Sequence, residues 1–552
     1  MKSDGTNSNA RTGETILDMR NVCIEGYGED GWKTIVEPIS FQLKRGEVLG
    51  LIGESGAGKS TLGLSAMGFS RGGCRISEGE IFFDGMDLRK ASETQLRDLR
   101  GARIAYVAQS AAASFNPAYR LLDQFVEAPV LHGVSNARDA SQSAVRLYGE
   151  MNLPEPETIG FRYPHQVSGG QLQRAMIAMA MSCKPDLIIF DEPTTALDVT
   201  TQIQVLIAIR KAIEAANAAA IYVTHDLAVV AQMADRIMVL RHGRLVEEGE
   251  ARSLLAAPKQ EYTRQLLNVR TERKEPAQVD REKDMVLRVR GISARYGKGV
   301  RVLENVSVDV ARGETVAVVG ESGSGKSTLA RVITGLLPPY EGEVAFQGEE
   351  LAGSFAERSK QDLRQLQMIY QMPDVALNPR QRISEILGRP LRFYLGMNQA
   401  SCRERIDELL REVELPESYA ERFPYELSGG EKQRICIARA LAAEPRLIIC
   451  DEVTSALDQL VSEDILKLLN RLQKTLGLSY LFITHDLATV KAVADRIVVM
   501  LQGCVVEQGE KDEMLRPPHH EYTELLLSSV PEMDPDWLDR VTADRAASGR
   551  LG

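Results

Sequence analysis

Two nine-residue stretches, GESGAGKST at 53–61 and GESGSGKST at 320–328, hold the residue types that grip a chain of phosphates. Gly53, Gly56 and Gly58, with Ser55 between them, let backbone N–H groups close around phosphate oxygens, and Gly320, Ser322, Gly323 and Gly325 repeat the pattern. Lys59 and Lys326 bring a point charge to the β and γ phosphates, Ser60 and Ser327 offer a hydroxyl to Mg2+, and Thr61 and Thr328 stand on the α-phosphate side. Each stretch follows an apolar pentapeptide, VLGLI at 48–52 and TVAVV at 315–319, which suits a buried parallel strand. The order is therefore strand, loop and helix, with the positive end of the helix aimed at the anion.

Hydrolysis needs carboxylates as well. LIIFDE at 187–192 and LIICDE at 447–452 read as central strands ending in paired acids at the carboxyl edge of a sheet, where open α/β sheets bind ligands. Asp191 and Asp451 are expected to hold magnesium, largely through water, while Glu192 and Glu452 polarise an attacking water as general bases. Opposite charges about 4 Å apart gain only about 1 kcal/mol in water and several in a less polar site, so such a centre must close against solvent. VSGGQ at 167–171 and LSGGE at 427–431 each precede a helix-forming run, which gives every half a second anion-binding helix start. One half can then grip the nucleotide while the other covers its γ phosphate.

The elements that must position these groups occur twice. Ser168 to Asp191 and Ser428 to Asp451 are both 23 positions, and Asp191 to His225 and Asp451 to His485 are both 34. Lys59 to Gln109 is 50 positions against 45 for Lys326 to Gln371, so the length difference falls after the first helix. The expected plan is a polar tail at 1–14, a nucleotide-binding domain at 15–268, a charged linker at 269–284, a second domain at 285–530 and a loose tail at 531–552. The 552 residues, 44% hydrophobic and 26% charged, fit a globular protein of several packing units, and no apolar run approaches the roughly 20 residues that cross a bilayer. The net charge of −11 argues against broad affinity for nucleic acid, and none is expected as a partner. Seven scattered cysteines without a C-x-x-C pair suggest reduced structural thiols.

In this order and spacing, the phosphate loops, acidic strands, S-G-G turns and the VTHD and ITHD histidines resemble the ATP-binding subunits of ABC transporters over both halves. The resemblance implies two P-loop NTPase domains of the α/β class, each with a RecA-like core, an antiparallel β part and a helical part, closing head to tail on two ATP. One site would join Lys59, Ser60, Gln109, Asp191, Glu192 and His225 to Ser428, Gly429 and Gly430. The other would join Lys326, Ser327, Gln371, Asp451, Glu452 and His485 to Ser168, Gly169 and Gly170. By the same resemblance Gln109 and Gln371 sense magnesium and the membrane partner, His225 and His485 contact the γ phosphate, and Asp198 and Asp458 couple the sites. Tyr296 matches the adenine-stacking aromatic, and Tyr27 is its counterpart in the first half.

AQSAAASFNP, YQMPDVALNP, YPHQVSGG and FPYELSGG are similar to the oligopeptide, dipeptide and nickel importer subgroup, in a fused form. That implies two separate permease subunits, an extracytoplasmic solute-binding protein, and a peripheral place on the cytoplasmic face of a prokaryotic inner membrane. Peptides lead as cargo, with nickel chelates, glutathione and opines as alternatives. A soluble tandem ATPase acting on ribosomes or DNA is the rival class. It lacks support, because the segment between the halves is too short for a long charged arm and zinc-binding cysteines are absent.

Overall fold

Five-residue runs in which every side chain is buried set the centre of each half. The structure is a computed structural model that describes residues 13–28, 31–194, 197–268, 274, 284–297, 299–455 and 457–547. The expected N-terminal tail, apart from residues 13 and 14, and the expected linker, apart from Lys274 and Asp284, lie outside the described residues. The chain divides into unit 1, comprising Met1–Leu197, Thr201–Asn268 and Pro531–Gly552, and unit 2, comprising Asp198–Thr200 and Val269–Val530.

Unit 1 contains two sheets. β1 (Thr15–Gly28), β2 (Gly31–Lys44), β4 (Cys74–Phe83) and β5 (Met86–Asp87) form an antiparallel sheet in the order β2-β1-β4-β5. β3 (Val48–Ile52), β6 (Ile104–Val107), β7 (Leu187–Asp191), β8 (Ala219–Val223), β9 (Arg236–Arg241) and β10 (Arg244–Glu250) form the other, ordered β10-β9-β3-β8-β7-β6. All its pairings are parallel except β9 with β10. β3, β7 and β8 are buried at all five positions, which is why their sequences run apolar without alternation. Helices Leu121–Leu131 and Ala137–Glu150 add a helical part around Phe125 and Tyr148, whose rings meet edge to face at 5.6 Å. Both rings are fully buried and join one apolar cluster with Phe190 and Tyr222 of the parallel sheet.

Unit 2 repeats this plan. β11 (Met285–Arg295), β12 (Arg301–Ala311), β14 (Glu341–Phe346) and β15 (Glu349–Glu350) make the antiparallel sheet β12-β11-β14-β15. β13 (Thr315–Val319), β16 (Leu366–Ile369), β17 (Leu447–Asp451), β18 (Ser479–Ile483), β19 (Arg496–Leu501) and β20 (Cys504–Glu510) make the six-stranded sheet β16-β17-β18-β13-β19-β20. Part of the length difference foreseen after the first helix is visible in β4, which has 10 residues where β14 has 6. The side chain of Lys274 is buried in unit 2, where its Nζ donates to Asp495 at 2.7 Å and to Gln473 at 2.8 Å.

The end of the chain differs from its sequence reading. Where a loose tail was expected, Trp537–Ala547 forms a helix belonging to unit 1, with Trp537 and Leu538 only 5% and 1% exposed. The apolar residues of this segment are few, but they enter an existing core, and that burial offsets the entropy of ordering it.

One position in the phosphate loop has no room for a side chain. Gly53 has φ 145°, and a Cβ built on it would lie 2.0 Å from the carbonyl oxygen of Leu240, whereas Gly56 has φ 79° and meets nothing within 4 Å. Gly53→Ala is therefore expected to cost at least the about 1–3 kcal/mol of left-handed strain plus a backbone clash, and Gly56→Ala the strain alone. Calorimetry should show the larger drop in unfolding midpoint for Gly53→Ala.

Candidate active site

Each pocket is assembled at the carboxyl ends of adjoining strands. In unit 1 the loop leaving β3 ends at Gly58, which caps the helix Lys59–Ser65 in the left-handed conformation. The side chain of Lys59 folds back so that Nζ donates to the carbonyls of Gly53 (2.7 Å) and Glu54 (2.8 Å). Lys326 does the same to Gly320 (2.8 Å) and Glu321 (2.7 Å) at the start of Lys326–Ile333. Both lysines are 5% exposed, so the charge is held at the floor of the loop. Burial lowers the pKa of Lys326, and the nearby carboxylates of Glu452 and Asp451 oppose that shift. Ser55, Gly56, Ser322 and Gly323 lie exposed at the loop crests.

The hydroxyl after each lysine reaches the last residue of the acidic strand, two places away in the sheet. Ser60 Oγ donates to Asp191 Oδ1 at 2.5 Å, and Ser327 Oγ to Asp451 Oδ1 at 2.9 Å. A hydroxyl and a carboxylate side by side are hard oxygen donors, which suits a magnesium ion completed by phosphate oxygens and water. Among the described residues no group of three or more His, Cys, Asp or Glu gathers into a protein-only metal cage.

The next residue leaves the strand through an uncommon backbone geometry. Glu192 and Glu452 have φ 50° and 51°, left-handed values that cost a non-glycine residue about 1–3 kcal/mol. Their N–H groups still bond to the next strand, at Val223 (2.8 Å) and Ile483 (2.9 Å). The turn aims each carboxylate at two partners. Glu192 accepts from Gln109 Nε2 at 2.9 Å and faces His225 Nδ1 at 3.1 Å, while Glu452 accepts from Gln371 Nε2 at 2.6 Å and faces His485 Nδ1 at 3.4 Å. Burial opposes charge on both histidines, but the hydrogen bond and charge of the glutamate outweigh it and raise their pKa values. Burial likewise works against ionised Glu452, and His485 and Lys326 overcome it, so its pKa is lowered. Asp451 moves the other way, pushed up by burial and by the adjacent Glu452 despite the Ser327 hydrogen bond.

Lys, Ser, Asp, Glu, Gln and His thus converge within each unit. The serine–glycine turns are engaged in their own helix starts instead. Ser168 and Gln171 form a reciprocal cap on Gly169–Ala180, and Ser428 and Glu431 do the same on Gly429–Leu441. Ser168, Gly169, Ser428 and Gly429 are exposed, with Gly170 and Gly430 partly so. Asp458 caps the helix Gln459–Leu476 through the N–H of Val461 at 3.0 Å, and Asp198 accepts from the Thr200 hydroxyl at 2.7 Å.

The aromatic positions differ between units. Tyr296 has its hydroxyl 3.4 Å from Thr328 Oγ1 and accepts from Arg331 at 3.1 Å, which fixes it against the phosphate-loop helix. Tyr27 is 68% exposed and meets Trp32, its cross-strand partner, edge to face at 5.3 Å, with Arg75 lying 4.1 Å over the indole. Trp32 was not singled out in the sequence, though an aromatic facing Tyr27 across a hairpin is a usable signal. Two other residues were missed at Asp191. Tyr106 donates to its Oδ2 at 2.8 Å and Arg71 at 3.3 Å. Burial, helped by Asp191, pushes the Tyr106 hydroxyl up to about 12.

Known proteins are similar to this chain over both halves. The family model described as ABC transporter matches residues 36–195 and 303–455, and the one described as oligopeptide/dipeptide transporter, C-terminal region, matches 506–549. The chain is 38% identical over 562 residues to the glutathione import ATP-binding protein GsiA of Salmonella typhimurium and 37% identical over 561 residues to that of Escherichia coli O157:H7. Each alignment covers 94% of this chain and 90% of the relative. Among solved structures, cbiO1 of Clostridium perfringens, part of the ABC transporter complex cbiONQ, is 29% identical with a TM-score of 0.38, covering 42% of this chain and 90% of that one. With two complete phosphate-loop and acidic-strand sets and relatives matched nearly end to end, the chain belongs to the ABC transporter family as an ATP-hydrolysing subunit carrying two ATP-binding domains.

Proposed function

We propose that this chain energises a membrane importer of small peptides, with glutathione the cargo that its relatives' names favour. The observation that carries the ATPase half of this reading is the repeated Gln–Glu–His cluster beside a lysine and a serine–aspartate pair. The peptide half rests on the match to the oligopeptide/dipeptide transporter C-terminal region and on relatives named for glutathione import. No helix among the described residues is long and apolar enough to cross a membrane. The path for the solute is accordingly assigned to two permease subunits, supplied by an extracytoplasmic binding protein, with this chain peripheral on the cytoplasmic face.

In this reading the loop N–H groups and Lys59 or Lys326 hold the triphosphate, and Ser60 with Asp191, or Ser327 with Asp451, would hold Mg2+. When bound, the ion supplies positive charge to the β and γ phosphate oxygens. Glu192 or Glu452 accepts the proton of the attacking water. Gln109 or Gln371 fixes the direction of that carboxylate, and His225 or His485 keeps Nε2 for a γ-phosphate oxygen while Nδ1 faces the glutamate. The resemblance assigns to each exposed serine–glycine helix start the covering of a γ phosphate held by the other half, which would exclude water and make the two sites interdependent. Tyr296 stacks on one adenine, and Tyr27 on the other.

Uptake of labelled glutathione and of labelled dipeptide by cells with and without the chain tests the cargo, and uptake of neither would overturn it. Glu192→Gln and Glu452→Gln should each lower ATP turnover of the assembled complex by roughly ten-fold or more while nucleotide affinity stays within about two-fold. A fall to only half would mean that the sites fire independently. The His485–Glu452 pair also sets a pH window. His485 has its pKa raised from the ordinary 6.5, so its contribution is full below that value and fades as pH rises through the folded value; Glu452 is lowered from 4.5, so its contribution is full above that value and fades as pH falls through the folded value. The stability difference between wild type and His485→Ala, read by denaturant titration, should be greatest between pH 4.5 and 6.5 and shrink on either side.

A further inference from the structure

The helix Leu227–Met233 begins at Asp226, directly after His225, and carries one buried polar side chain, Gln232, 3% exposed. Gln232 Nε2 donates to the carbonyls of Glu532 at 2.7 Å and Asp534 at 2.8 Å, and its Oε1 accepts from the N–H of Leu538 at 2.9 Å. Trp537 and Leu538 share an apolar cluster with Val229 and Met233 of the same helix. Arg252 pairs with Asp536 at 2.5 Å and Arg210 with Asp539 at 2.7 Å. All these residues belong to unit 1, although 531–547 follow unit 2 in the chain. At the matching place in the helix Leu487–Val493, unit 2 has Ala492, which has no side-chain amide to make such a seam.

We propose that the segment 531–547 is a positioning strap for one catalytic site: it clamps the helix after His225 through Gln232 and so holds His225 against Glu192, while among the described residues the helix after His485 has no such seam with this segment. Asp226 transmits the restraint, because its carboxylate caps that helix at the N–H of Ala228 (2.9 Å) and its own N–H donates to Thr224 Oγ1 (3.0 Å), immediately before the histidine. Gln232 is a positioning residue here, with its side-chain hydrogen bonds made to the backbone of 532–538. The catalytic part of this inference rests on the ATPase mechanism proposed above.

The test compares the full chain, Gln232→Ala and a chain ending at Val530 by amide hydrogen exchange, with the helix of unit 2 as the internal reference. Both changes should speed exchange across 227–233 by about ten-fold or more and leave 487–493 within about two-fold. A peptide of residues 531–552 added to the shortened chain should restore the protection. In steady state, Gln232→Ala should lower kcat about five-fold with KM for ATP within about two-fold, the signature of a misplaced catalytic group rather than a lost binding contact. Unchanged exchange at 227–233, equal loosening of both helices, or a raised KM with kcat intact would each overturn the strap. Exchange needs no turnover, so a wild-type chain that hydrolysed no ATP would sink the mechanism while leaving the clamp to be judged separately.

Discussion

The turn from strand into the Asp–Glu pair is the constraint on which each site depends. Asp191 and Asp451 are the last residues of buried strands, so their carboxylates stand at fixed points opposite Ser60 and Ser327. Continuing as a strand would send the following glutamate to the opposite face of the sheet. The left-handed φ at Glu192 and Glu452 prevents that and brings the second carboxylate to Gln and His. The strain is held because the strand pairings on one side and the hydrogen bonds to Gln and His on the other over-determine the geometry.

The same turn explains the electrostatics. Two carboxylates on consecutive residues, largely shielded from water, repel one another, and a pocket lined by acids alone would bind protons rather than magnesium and phosphate. The cations that relieve this repulsion come from different directions: Lys326 from the loop and His485 from the end of β18. Asp451 and Glu452 consequently shift in opposite senses, one toward holding a proton and the other toward the open carboxylate.

Much of this was legible because the chemistry is local in sequence. Strand, loop, helix start and acidic strand end are each coded within about ten residues, and the buried strands Val48–Ile52 and Leu187–Asp191 coincide with the apolar runs read from the sequence. What was not legible depends on distant partners. Arg71 and Tyr106 reach Asp191 from 120 and 85 residues away, and no spacing rule connects a turn arginine to that carboxylate. The C-terminal helix resembled a tail because WLDRVTADRAA has only Trp537, Leu538 and Val541 as large apolar groups, and the surface that receives them is built roughly three hundred residues earlier.

These missed residues also break the equivalence that the motifs suggest. At the level of the phosphate loop and the acidic pair the units are duplicates, yet Asp191 is bound by Tyr106 and Arg71 whereas the strand position of Tyr106 is Met368 in unit 2. Tyr296 is anchored by Arg331 and Thr328, whereas Tyr27 leans on Trp32. Duplication preserved the lysine and serine of the phosphate loop and the Asp–Glu pair with its Gln and His partners. It left free the residues that set how firmly those groups are held, such as Gln232 against Ala492, and there the two halves of one chain have diverged.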